Sequence, residues 1–136
     1  MNKITKNTNH LTYCEIDLKA IRYNLKQIAK LTVKNTFDLP TRPRTAKVTR
    51  GMETIMAVIK ADAYGHGVKE VAALLDQEGV AFFGVSDIAE GITLRKSGIK
   101  KPILLFESTL ASHAPQIAQY QLIPTICTLE LAKSLN

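Results

Sequence analysis

Short apolar runs alternate along this chain with stretches in which apolar residues recur every three or four positions. Residues 13–17 (YCEID) alternate apolar and polar side chains and predict a short strand. Asp17 can cap the helix that follows, where Leu18, Ile21, Leu25 and Ile28 line one stripe running to about residue 31. After a long polar interval, residues 55–59 (IMAVI) form an apolar run too short for a helix and closed by turn residues, which predicts a strand buried on both faces. Val68, Val71, Ala72 and Leu75 predict a helix ending before Gly79, and residues 80–85 (VAFFGV) a second buried strand. Asp87, followed three residues on by Glu90, is a variant capping box that opens a helix through Ile88 and Ile92, stopped at Gly98. Pro102 introduces a third strand, ILLF, at a position where its missing N–H does least harm. Pro115 stands near the start of a short helix closed by residues 117–120, and residues 122–127 (LIPTIC) predict a fourth strand, which Pro124 weakens. Thr128 can cap a last helix through Leu131, Ala132 and Leu135.

Strands alternating with amphipathic helices indicate parallel βαβ units with right-handed crossovers. Four of these strands follow one another with no reversal of pattern, an α/β row that suits half of a (β/α)8 barrel better than a dinucleotide-binding sheet. The chain also has no G-x-G-x-x-G and no P-loop to cradle a nucleotide. An isolated half barrel would leave strand edges open on both sides, which predicts association with another chain or a further segment.

Composition changes this picture little. The 136 residues are about one domain's worth, 46% apolar and 22% charged, as expected of a globular protein. No apolar stretch approaches the ~20 residues of a membrane span. The start, MNKITKNTNH, has no hydrophobic segment behind it and does not read as a secretory signal, so a cytoplasmic location is expected. Cys14 and Cys127 stand far apart in apolar surroundings and are expected as buried thiols, and His10, His66 and His113 make no metal constellation. Charge matters more, because the net +6 could suggest nucleic acid. Half of that excess lies in residues 32–53, where Lys34, Arg42, Arg44, Lys47 and Arg50 face only Asp38 and Glu53. The segment has two prolines, no period and one aromatic, Phe37, so the stacking platform of a single-strand binder is missing and a solvated flexible insert is expected.

The stretch that carries chemistry is residues 54–67, TIMAVIKADAYGHG. Its apolar run delivers one lysine, Lys60, to the end of the first strand of the row, where (β/α)8 barrels keep their active sites. An ammonium is costly to bury, so Lys60 either snorkels into water or serves as an amine whose basicity is lowered by desolvation. Four positions on, Tyr64 either packs on the loop with its hydroxyl in water or contacts a ligand. Asp62 and His66 are expected as turn residues with local hydrogen bonds, as aspartate in turns commonly is. Tyr13, Tyr23 and Tyr120 carry no signal of a site.

AVIKADAYGHG closely resembles the cofactor-lysine motif of bacterial alanine racemases, and YCEIDLKAIRYNLKQI and FFGVSDIAEGITLRKSGIKKPILLF agree with the same family. The resemblance covers residues 11–136, a portion of a much longer family, and the chain therefore resembles the N-terminal part of the barrel domain. The insert 32–53 departs from the short turn usual in the family. The resemblance implies an isomerase that interconverts L-alanine and D-alanine with pyridoxal 5'-phosphate for peptidoglycan precursor supply. It further implies that Lys60 is the catalytic and cofactor-binding lysine, that Tyr64 contacts the cofactor phosphate, and that the working protein is a homodimer. The second catalytic tyrosine, the substrate-carboxylate arginine and the partner of the cofactor ring come, in the family, from later sequence, so the 136 residues alone are expected to be inactive without a C-terminal portion, supplied in the same or a complementing chain. The alternative is a non-catalytic remnant, or a module that binds pyridoxal phosphate or pairs with another chain.

Overall fold

The computed structural model describes residues 13–35 and 52–136. Four strands, β1 (Met56–Val58), β2 (Phe82–Val85), β3 (Ile103–Ser108) and β4 (Ile123–Thr125), form one sheet in the order β1-β2-β3-β4. Every neighbouring pair is parallel. Around them run the helices α1 (Leu18–Asn35), α2 (Lys60–Gly65), α3 (Val68–Glu78), α4 (Ile88–Lys96), α5 (Ala114–Gln119) and α6 (Leu129–Ser134), with 3-10 turns at Met52–Thr54 and Ala111–His113. This is the unreversed β/α row that the sequence pattern predicts.

Local chemistry sets the helix starts. Asp17 Oδ1 accepts from the Lys19 N–H at 2.8 Å, Asp87 Oδ1 from Glu90 N–H at 2.9 Å, and Thr128 Oγ1 from Leu131 N–H at 3.2 Å, so each expected cap is made. Gly79 ends α3 in the left-handed region at φ 92°, donating to Leu75 and Asp76 carbonyls. Pro115 sits in the first turn of α5, where its missing N–H costs nothing.

The two faces of the sheet differ. Phe83 and Val85 on β2 and Ile103 and Leu105 on β3 are fully buried with Val71 and Leu75 of α3, Leu94 of α4, Ile117 of α5 and Leu131 of α6 in one core. Burying each such side chain contributes roughly 1.5–3 kcal/mol, and this face holds the layers together. The opposite face, carried by the alternate residues, is only half covered: Met56, Phe82, Phe106 and Ile123 remain 40%, 41%, 39% and 40% exposed.

At the N-terminal ends of the strands, Arg95 closes the structure. Its guanidinium donates to the carbonyls of Ile99, Lys101, Tyr120 and Gln121 at 2.7–2.8 Å, joining the loop before β3 to the turn before β4. Burial pulls its ionisation below the ordinary arginine value. Lys101 adds a bond to the Asp76 carbonyl at 3.0 Å and an ion pair to its carboxylate at 3.3 Å, while Glu78 at the end of α3 meets Arg22 at 2.7 Å and Lys26 at 3.4 Å from α1.

Three expectations are corrected. The first two strands are not buried on both faces, because among the described residues no second layer lies on their open side, and Met56 and Phe82 stay exposed. Residues 13–17 form no strand, because their alternation finds no neighbouring edge to share ladder bonds, and Tyr13 and Cys14 lie exposed. Cys127 is exposed too, since the chain leaves the sheet after Thr125 and no second layer covers residues 126–130. The basic insert expected over 32–53 lies mostly outside the described residues. At its margins, residues 32–35 extend α1 and Met52 is buried in the 3-10 turn before β1.

Candidate active site

Ile59 makes the last ladder bond at the C-terminal end of β1, donating its N–H to the Gly84 carbonyl at 2.9 Å. Lys60 is the next residue and is half-buried. Among the described residues its ammonium has neither a hydrogen-bond nor an ion-pair partner, so the amine at the strand end is uncommitted.

The chain then turns the wrong way. Ala61, Asp62, Ala63 and Tyr64 all have φ between 51° and 56°, a run of four non-glycine residues in left-handed helical conformation, followed by Gly65 at 79° and Gly67 at 89°. Each L-residue there costs roughly 1–2 kcal/mol, so the run stores about 4–8 kcal/mol of strain. Two carboxylates offset it. Glu90 Oε1 accepts from the Ala61 N–H at 2.6 Å, and Asp62 Oδ1 accepts from the Val68 N–H at 2.7 Å, which caps α3 from six residues upstream. Hydrogen bonds to a charged group stabilise by about 1.5–3 kcal/mol each, hence about 3–6 kcal/mol for the pair. The turn's own bonds, Ala63 N–H to the Ile59 carbonyl and Gly67 N–H to the Asp62 carbonyl, both 3.0 Å, supply much of the remainder. The strained run and the uncommitted amine are adjacent in the chain, which makes this strand end the candidate site.

Glu90 reaches further than a capping box requires. While its N–H is held by Asp87, its second carboxylate oxygen accepts from the Ser86 N–H at 2.8 Å, so one side chain ties the loop after β1 to the loop after β2. Sequence reading found Glu90 as a capping partner and missed this bridge, because Ala61 lies 29 residues away in the chain. Asp62 and His66 make local bonds as expected, the imidazole Nδ1 lying 3.1 Å from the Tyr64 carbonyl. Tyr64 shares α2 with Lys60, and with 59% of its surface exposed it is not packed on the loop. Tyr13 and Tyr23 are exposed elsewhere, on or before α1. Among the described residues no group of three or more His, Cys, Asp or Glu side chains could hold a metal, and no helix is long and apolar enough to cross a membrane.

A parallel β/α row with a lysine at the C-terminal end of its first strand is the architecture of a partial (β/α)8 barrel. The chain belongs to the alanine racemase family: the model of the alanine racemase N-terminal domain matches residues 43–136. Alanine racemase 1 of Caldanaerobacter subterraneus subsp. tengcongensis is 40% identical over 125 residues, 92% of this chain and 28% of that protein. Among solved structures, alanine racemase from E. faecalis superposes with a TM-score of 0.67 at 29% identity, covering 88% of this chain and 28% of the other. A histidine racemase from Leuconostoc mesenteroides superposes with a TM-score of 0.68 at 29% identity, covering 87% of this chain and 27% of the other. The chain thus spans a little over a quarter of the length of each of these relatives.

Proposed function

We propose that this chain is the lysine-bearing half of a pyridoxal-phosphate-dependent racemase that interconverts L-alanine and D-alanine, supplying D-alanine for peptidoglycan precursors in the cytoplasm. The observation that carries the reading is Lys60, a half-buried amine one residue beyond the last ladder bond of β1, with no partner among the described residues. The names of the relatives support alanine as substrate.

The residues present fit the cofactor. Its aldehyde needs an uncommitted primary amine, which Lys60 offers, and its phosphate needs hydrogen-bond donors, one of which is the exposed Tyr64 hydroxyl in the same turn. When bound, pyridoxal phosphate supplies an electron sink that acidifies the Cα–H bond of an amino acid. In this reading Lys60 holds the cofactor and then moves a proton at Cα on one face, while Tyr64 orients the phosphate. The residue serving the opposite face and the groups that fix the substrate carboxylate lie outside these 136 residues, in a C-terminal portion and the partner subunit of a homodimer. A second reading, a cofactor-binding or pairing module without turnover of its own, draws on the half-covered sheet face at Met56, Phe82, Phe106 and Ile123.

Incubation with pyridoxal phosphate, borohydride reduction and peptide mapping tests the role of Lys60. The pyridoxyl group is expected on Lys60 in clear excess over the other lysines, with weak overall binding. An adduct spread evenly over many lysines, with a total unchanged by Lys60→Ala, overturns the assignment.

A further inference from the structure

We propose that Glu90 is a positioning residue for Lys60, acting through the left-handed turn that follows it. The inference rests on the reading of Lys60 as the cofactor lysine. Glu90 touches neither Lys60 nor Tyr64 through any hydrogen bond; its carboxylate holds the N–H of Ala61, the first left-handed residue, and the N–H of Ser86. Ala61 is the hinge on which both side chains depend. If its φ returned to the negative values an L-residue prefers, the peptide joining it to Lys60 would rotate and α2, with Tyr64, would unwind from the strand end.

The anchor is well placed for this work. Glu90 is itself fixed, because its N–H is held by Asp87 at the start of α4 and Ser86 lies directly after β2, accepting from Glu107 N–H of β3 through its own carbonyl at 2.9 Å. The carboxylate thus refers the turn after β1 to the frame of β2 and β3. A carboxylate is needed rather than an amide, since two N–H donors approach its two oxygens and a glutamine would present an NH2 group to one of them.

The same geometry supplies the test. Ala61→Gly removes the cost of positive φ, because glycine visits that region freely. If Glu90 acts by holding Ala61 there, Glu90→Ala should lower borohydride-fixed pyridoxal phosphate at Lys60 by about tenfold or more, tenfold being the lower end of what one charge-assisted hydrogen bond is worth. Glu90→Gln should fall between Glu90→Ala and the parent, and Glu90→Ala combined with Ala61→Gly should recover most of the loss. A contribution to stability alone would lower fixation only as far as it raised the unfolded fraction, which circular dichroism and urea unfolding of the variant read directly. In parallel, acetic anhydride labelling of Lys60, read by peptide mass spectrometry without any cofactor, should rise severalfold in Glu90→Ala and return in the double variant, as the turn opens and recloses. The labelling is independent of pyridoxal phosphate, so a parent protein that fails to trap the cofactor at Lys60 overturns the cofactor role and leaves the positioning role to be decided by the anhydride result. Unaltered labelling in Glu90→Ala, or labelling that Ala61→Gly fails to restore in a protein with native circular dichroism, overturns the proposal. Should Glu90→Ala lose its fold, the Glu90→Gln pair with and without Ala61→Gly decides by the same criteria.

Discussion

The ring of Phe106 lies across Gly84, so close that a Cβ built on Gly84 would come within 2.7 Å of Phe106 Cε2. Gly84 is paired with Val58 on one side and Leu104 on the other, so the open face of the sheet is closed at this point by an aromatic side chain resting on bare backbone. Gly84 stands two residues before Ser86, and its carbonyl accepts from the Ile59 N–H next to Lys60, so the contact is one backbone bond from the candidate site.

A valine at Gly84 is therefore expected to destabilise the fold by about 1–3 kcal/mol, the usual cost of overpacking. Alanine is the poorer probe, because replacing a strand glycine recovers about 0.5–1 kcal/mol of propensity and masks the clash. Urea unfolding should show Gly84→Val regaining much of its loss when Phe106→Ala is added. Independent, additive effects of the two substitutions would show that the contact is not the cause.

Arg95 bonds four carbonyls from two loops, a fork that an ammonium cannot reproduce. Arg95→Lys is expected to cost roughly 2–3 kcal/mol in the same assay, as one or more carbonyls lose a charged donor. Burial lowers the ionisation of Arg95, so the folded state binds this proton less tightly than the unfolded chain does. That unfavourable contribution is present in full at neutral pH and is relieved only as pH rises into strong alkali. The penalty of Arg95→Lys should accordingly be the same at about pH 6 and about pH 9; a clear difference between them would assign the effect to another titrating group.

The half-covered face at Met56, Phe82, Phe106 and Ile123, flanked by β1 and β4, which have no outer strand neighbour among the described residues, leads to a prediction about assembly and turnover together. Alone, the 136-residue chain is expected to associate at micromolar concentration and to racemise alanine no faster than free pyridoxal phosphate, because a single general base is worth typically ~10²–10⁴-fold and only with the substrate positioned. Adding the C-terminal barrel half and β domain of a related racemase should restore D-alanine formation, and Lys60→Ala should abolish it. A compact monomer in sedimentation with robust turnover of its own would contradict the half-barrel account.

Much of this architecture could be read from the chain because it is set locally. The helix starts at Asp17, Asp87 and Thr128 need only a side chain and an N–H two or three residues on, and the strands of the row announce themselves as apolar runs between Gly and Pro breakers. Lys60 was legible for the same reason, as a charge at the end of such a run. The failures are all cases where a distant partner decides. Residues 13–17 have the alternation of a strand but no edge to pair with, and Cys14 and Cys127 sit in apolar sequence that no second layer covers. Most telling is the turn after Lys60. Gly65 and Gly67 mark a break, yet Ala61 to Tyr64 are ordinary L-residues whose own preference is right-handed, and nothing near them in sequence says otherwise. The contacts that offset their left-handed sense include one that no local reading finds, the Ala61 N–H bond to Glu90, 29 residues on and set by α4 against the end of β2. Sequence alone determined which residue carries the amine and at which end of the row it stands; tertiary structure decided how the chain turns beside it, since a strained backbone is held by contacts that exist only once the sheet has formed.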